Sequence, residues 1–129
     1  MELFIGSNFE NTRRYKEFDA SPQGEWIDLD VDLNMADNTI GWVWRSGCEV
    51  SARIEPKANI WYAAMRIPFS DIDQNAPGYG TRFRLNLFRC QGPPDDRCLV
   101  AWRSPMQASF HVPERFGLLT LVGRGGEID

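Results

Sequence analysis

The chain has 129 residues, 43% of them hydrophobic and 25% charged, with a formal net charge of −4. That length is one domain or part of one, with enough apolar side chains for a core and no compositional mark of disorder. Scattered basic residues exclude a nucleic-acid footprint, no apolar run reaches membrane-spanning length, and the first residues lack the basic-then-apolar layout of a signal peptide.

Period-two alternation dominates the chain. From Trp26 to Leu33, the residues Ile27, Leu29, Val31 and Leu33 share one face and Asp28, Asp30 and Asp32 the other, which predicts a strand with one face buried and one in water. The three aspartates look like calcium ligands at first glance. Alternate strand positions are about 6–7 Å apart, too splayed to share one ion, so a solvated face is the better reading. Trp42 and Trp44 follow in Gly41-Trp42-Val43-Trp44-Arg45, two apart and pointing the same way if the segment is extended. They either cap the core or offer flat apolar surface to a ligand.

Cys48 to Glu55 repeats the alternation, with Cys48, Val50, Ala52 and Ile54 inward. Ile60 to Ile67 is a further strand, stopped by Pro68, which cannot donate to a ladder. Thr81 to Cys90 sets Phe83, Leu85 and Leu87 against Arg82, Arg84 and Asn86, and Leu118 to Val122 closes the chain as an apolar strand. Gly- and Pro-rich turn signals separate these runs. Helix is confined to single turns at 68–72 and 113–116, each opened by proline. The prediction is an all-β antiparallel β-sandwich of the jelly-roll or immunoglobulin-like kind over residues 1–122, with a flexible polar tail at 123–129. Trp26, Trp61 and Trp102 are expected in core or edge packing.

The three cysteines are an odd number, which argues against a dedicated disulfide framework. Cys90 and Cys98 flank a turn that could bring their sulfurs within bridging range; two reduced, buried thiols are the plainer reading. With one histidine and separated cysteines there is no zinc-type spacing, and no metal or cofactor is expected. His111 has no nucleophile motif beside it and no carboxylate pair stands out, so the chain is not expected to be an enzyme.

One ordered series of short motifs carries a resemblance. Ala101-Trp102-Arg103-Ser104-Pro105, then Phe110-His111-Val112-Pro113, then Phe116-Gly117 before an apolar run, resembles the closing segment of the family-9 carbohydrate-binding modules. Glu2-Leu3-Phe4-Ile5, Tyr15-Lys16-Glu17-Phe18 with Ser21-Pro22-Gln23-Gly24, Trp61 to Phe69, and Phe83 to Arg89 resemble earlier strands of the same modules, in the same order. The resemblance implies a non-catalytic sandwich that holds a plant-type glycan or its oligosaccharides between two tryptophans, in carbohydrate catabolism. It further implies bacterial relatives, often associated with glycoside hydrolases, and a periplasmic or extracellular setting. Carried over position by position, the implied contacts are Glu2, Phe110 in place of the second tryptophan, Gln107 in place of an asparagine, and Asp19 in place of an arginine. His111, Trp42 and Trp44 are further candidates.

The first tryptophan would precede Met1, so the chain resembles a module incomplete at its N-terminus. The edge left open would suit a partner chain or a second copy. Two alternatives stand beside sugar binding. One is a structural or interaction module whose sugar site has degenerated. The other is a haem-binding sandwich using His111 with Met65 or Met106 as axial ligands.

Overall fold

The computed structural model describes residues 1–35 and 44–123, and strands account for most of its regular structure. In chain order the strands are β1 (Glu2–Gly6), β2 (Arg14–Ala20), β3 (Trp26–Asp32), β4 (Glu49–Glu55), β5 (Ile60–Arg66), β6 (Arg82–Gln91), β7 (Cys98–Ala101) and β8 (Gly117–Thr120). All pairings are antiparallel. One sheet runs β3-β2-β1-β6-β7, with β8 also paired to β6, and β4 and β5 form a separate hairpin. Single 3-10 turns sit at Pro56–Ala58, Phe69–Asp71 and Pro113–Arg115. The protein is an all-β antiparallel sandwich, as the alternation predicts. The expected turns at 68–72 and 113–116 are present; the one at Pro56, closed by Asn59 at a left-handed φ of 54°, went unforeseen.

Beta6 organises the large sheet because it is long enough to pair three times. Beta1 lies along one side of it. Beta7 takes the other side at Phe88–Gln91 and β8 takes it at Arg82–Leu85. The chain therefore leaves β6 through β7, makes an excursion over residues 102–116 and returns as β8. Side chains alternate across the sheet, so each strand contributes to two faces. On the hairpin face, Ile5, Phe18 and Phe83 join Cys48, with Leu3, Trp44, Val50, Met65 and Leu85 packed around them. On the opposite face, Phe4, Tyr15, Val31 and Phe88 are buried under Phe110 and Phe116 of the excursion. We call this second surface the loop face.

The polar side of β6 is in water only at Arg82. Arg84 and Asn86 are buried, Asn86 against the excursion and Arg84 between the excursion and the β1–β2 connection. The Arg84 guanidinium donates to the carbonyls of Pro113 at 3.0 Å, Thr12 at 2.9 Å and Asn8 at 3.3 Å. Asn86 donates through Nδ2 to the Arg103 carbonyl at 2.8 Å and accepts from the Arg103 N–H at 3.0 Å. These side chains supply the partners that an irregular segment over a sheet would otherwise lack. Gly117 completes the clamp: a Cβ there would lie 2.4 Å from Cζ3 of the Trp102 ring. The Trp-x-Ser-Pro and Phe-Gly motifs are thus two sides of one contact. Trp102, packed on Gly117, is 54% exposed and Trp26, on the edge strand β3, 40% exposed, so of the expected core or edge packing both take the edge.

Register also answers the cysteine question. Cys90 pairs with Leu99 and Cys98 with Gln91, so the two thiols leave the β6–β7 ribbon on opposite faces and cannot bridge. All three cysteines are free, and Cys98 is exposed rather than buried. The β3 aspartates are not simply solvated either. Asp28 accepts from the Ser46 N–H at 2.6 Å, Asp30 pairs with Lys16 at 2.8 Å and Asp32 with Arg14 at 3.3 Å.

Candidate functional site

The loop face carries Glu2, Asp19, Phe110 and His111 of the residues that the sequence singles out. Glu2 lies opposite Asp19 on β2 and opposite Phe88 on β6, while Phe4, next on the same face of β1, lies opposite Glu17 and Asn86. Period two on β2 places Tyr15, Glu17 and Asp19 side by side on this face. Residues far apart in the chain therefore converge by register alone.

An aromatic floor runs beside the acids. Phe110 stacks on Phe88 with ring centroids 4.2 Å apart, and Phe4 meets Phe88 at 4.8 Å, His111 at 5.1 Å and Tyr15 at 5.4 Å. The Tyr15 hydroxyl and His111 Nδ1 share a hydrogen bond of 2.6 Å. Burial pushes the Tyr15 hydroxyl well up and the His111 imidazole down, so both are neutral near pH 7. The excursion is thereby fastened to β2 by a polar contact as well as by stacking.

At the end of this floor the side-chain oxygens of Glu2, Glu17 and Asp19 lie within 4.8 Å of one another. Glu17 is buried, while Glu2 and Asp19 reach partly into solvent. Burial, and then the charge of Asp19, pushes the Glu17 carboxyl up to about 8. Burial, and then the charge of Glu2, pushes Asp19 up to about 7. Cys90 donates to Glu2 Oε1 at 3.4 Å, and His111 Nδ1 stands 4.0 Å from Glu17 Oε2. Glu17 Oε2 and Asp19 Oδ1 have no hydrogen-bond partner among the described residues. Such a set can donate and accept hydrogen bonds near neutral pH, or hold a positive group.

Of the expected site residues, Glu2, Asp19, Phe110 and His111 come together here. Gln107 is exposed on the excursion that carries Phe110. Trp44 does not join them: it packs edge-on to Phe18 at 5.9 Å beneath the Lys16 ammonium, on the hairpin face. Phe18 and Lys16 alternate with Glu17 and Asp19, so the sheet itself separates Trp44 from the acids. Trp42 lies outside the described residues. The pairing of His111 with Met65 as axial ligands fails for the same reason, since Met65 packs on the hairpin face; Met106 is exposed on the excursion. Glu17, Tyr15 and Phe88 were not foreseen as site residues. The signal was present in the alternation Tyr15-x-Glu17-x-Asp19, which puts two carboxylates and an aromatic on one strand face.

No family model matches the chain. It is 25% identical, over 134 residues, to an extracellular protein of Arthroderma benhamiae, covering 95% of this chain and 60% of that relative. In three dimensions it resembles the crystal structure of a candidate carbohydrate-binding protein from Bacteroides uniformis, with a TM-score of 0.68 and 19% identity, over 93% of this chain and 59% of the other. The chain thus spans about three-fifths of the length of each protein. The structural likeness shows the fold, an all-β sandwich. Among the described residues no helix is long and apolar enough to cross a membrane.

Proposed function

We propose that this chain is a non-catalytic carbohydrate-binding β-sandwich whose ligand meets the loop face. The observation that carries the reading is the convergence of Glu2, Asp19, Phe110 and His111, chosen from separate parts of the sequence, around one aromatic floor. Sugar recognition needs flat apolar surface against the C–H face of a pyranose ring and fixed polar groups for its hydroxyls. Phe110 supplies the surface, and Glu2, Asp19 and Gln107 supply the polar groups. The candidate carbohydrate-binding role of the Bacteroides uniformis protein supports the ligand class. The extracellular relative supports a setting outside the cell. The family-9 likeness adds a plant-type glycan, met in carbohydrate catabolism, as the ligand to test first.

Isothermal titration with xylo- and cello-oligosaccharides tests the proposal. Saturable heat that weakens at least tenfold in Phe110→Ala and in Glu2→Gln is expected. Heat unchanged in both variants would remove the site from the loop face.

A second reading, a packing module that no longer takes sugar, is favoured by one observation. Phe110 already stacks on Phe88, so part of its surface is spent on the fold. A cooperative melt without heat from any sugar would favour that reading.

A further inference from the structure

We propose that Glu2, Glu17 and Asp19 form a calcium-binding site on the loop face, with outward coordination positions open to vicinal hydroxyls of a sugar. The part concerning sugar rests on the carbohydrate reading above; the ion site does not. It departs from the absence of a metal expected from the sequence. Sequence spacing looked for ligands along one strand, whereas these three come from two strands in register.

The geometry carries the proposal. Calcium takes oxygen ligands at about 2.3–2.6 Å, so oxygens on opposite sides of one ion are about 4.6–5.2 Å apart. The three carboxylates offer one oxygen each, all within 4.8 Å of one another. They therefore fit around a single ion without moving a strand. Magnesium demands a shell only about 4.0–4.2 Å across and a near-ideal octahedron, which makes it the discriminating control.

A second observation is independent of how near the carboxylates lie to one another. The Glu17 side chain is only 8% exposed and its carboxylate faces the other two acids, while its Oε2 has no hydrogen-bond partner among the described residues. Asp19 Oδ1 is buried and equally without one. Buried carboxylate oxygens are normally satisfied, and an orphan here points to a ligand that supplies positive charge. Among the described residues no lysine or arginine pairs with any of the three acids; the basic groups at hand are His111, 4.0 Å from Glu17 Oε2, and the Met1 ammonium, which acts on Asp19 from a distance while donating to the Ala20 carbonyl. Three protein oxygens leave a calcium ion several positions short of its usual six to eight. Glu2 and Asp19, the two partly exposed members, set the side from which those positions open.

The test is calcium chloride titrated into the purified chain without sugar, followed by calorimetry and by the melting temperature. The parallel arms use magnesium, Glu17→Gln, Asp19→Asn and, as a control for diffuse attraction to an acidic protein, Asp95→Asn in the exposed β6–β7 turn. One-to-one heat with Kd of about 10⁻⁴–10⁻³ M is expected, together with a rise in melting temperature. At least tenfold weakening is expected in each site variant, and none in Asp95→Asn. Circular dichroism establishes that the variants are folded. No saturable signal at several millimolar calcium, or an equal signal in both site variants, overturns the ion site; the cluster is then held by protons alone.

Oligosaccharide titrations with calcium and with a chelator separate this result from the carbohydrate reading. Sugar heat only with calcium supports the whole proposal. Equal sugar heat under both conditions overturns the bridging role. Calcium heat with no sugar heat leaves the ion site standing and overturns the carbohydrate reading.

Discussion

The two faces of the large sheet are made by the same strands and solve opposite problems. The hairpin face is an apolar interior, with Ile5, Phe18 and Phe83 closed by the β4–β5 hairpin and Cys48. Its cover is regular, because a hairpin satisfies its own backbone groups. The loop face is closed by an irregular excursion, and the strands beneath must supply what that backbone lacks. Arg84, Asn86 and Tyr15 do so, each bonded to the excursion. Burying such groups is costly unless each is fully partnered, so a polar interior persists where it positions something. On this molecule it positions Phe110 and His111 beside the three acids. One face supplies stability, and the other converts part of it into a defined surface.

Mutations can break this contrast. Phe83→Ala empties a ring position that is 1% exposed on the apolar face, and should lower the free energy of unfolding by about 3–5 kcal/mol in urea titrations. Asn86→Ala should cost less, about 2–3 kcal/mol, because it leaves the Arg103 N–H and carbonyl without their partner. Its distinguishing signature is weaker ligand binding, since the excursion carries Phe110; Phe83→Ala should leave affinity unchanged while the protein stays folded. Equal losses of binding in both variants would mean that the two faces are not functionally distinct.

A smaller effect concerns protons. The folded-state values of Glu17 and Asp19 lie above their unfolded ones. The folded chain therefore binds protons that the unfolded chain has released, and stability falls as pH rises through the folded values. His111 shifts the other way, so its contribution is lost as pH falls below about 6.5. The carboxyl effect thus acts unopposed from about pH 6.5 to 8. In chelator, the melting temperature should decline across that window, and Glu17→Gln should flatten the decline. A wild-type curve flat over those pH values would show that the acids are not crowded as described.

Much of this was legible beforehand, for a physical reason. Alternation marks a strand wherever one face is oily, so β3 to β6 and β8 could be read directly. It could not tell which polar faces would be buried, because that depends on a cover arriving from distant sequence. The burial of Arg84 and Asn86 went unforeseen on that account. Glu2, Asp19 and Phe110 were found through ordered motifs. Glu17 was missed although it sits between recognised residues, because its neighbours Lys16 and Phe18 face the other way. Trp44 takes the core-capping alternative, which the sequence left open because two tryptophans in a short segment say nothing about which side of a sheet receives them.

The one-residue offset between Cys90 and Cys98 also bears on how the protein behaves in air. Because these thiols project from opposite sides of one ribbon, oxidation at the exposed Cys98 finds its natural partner in a second molecule. Purified without reductant, the chain should yield a covalent dimer on a non-reducing gel, absent in Cys98→Ser and cleared by thiol. A preparation that looks two-fold symmetric in size may then owe it to handling, and any count of subunits should begin with that cysteine replaced.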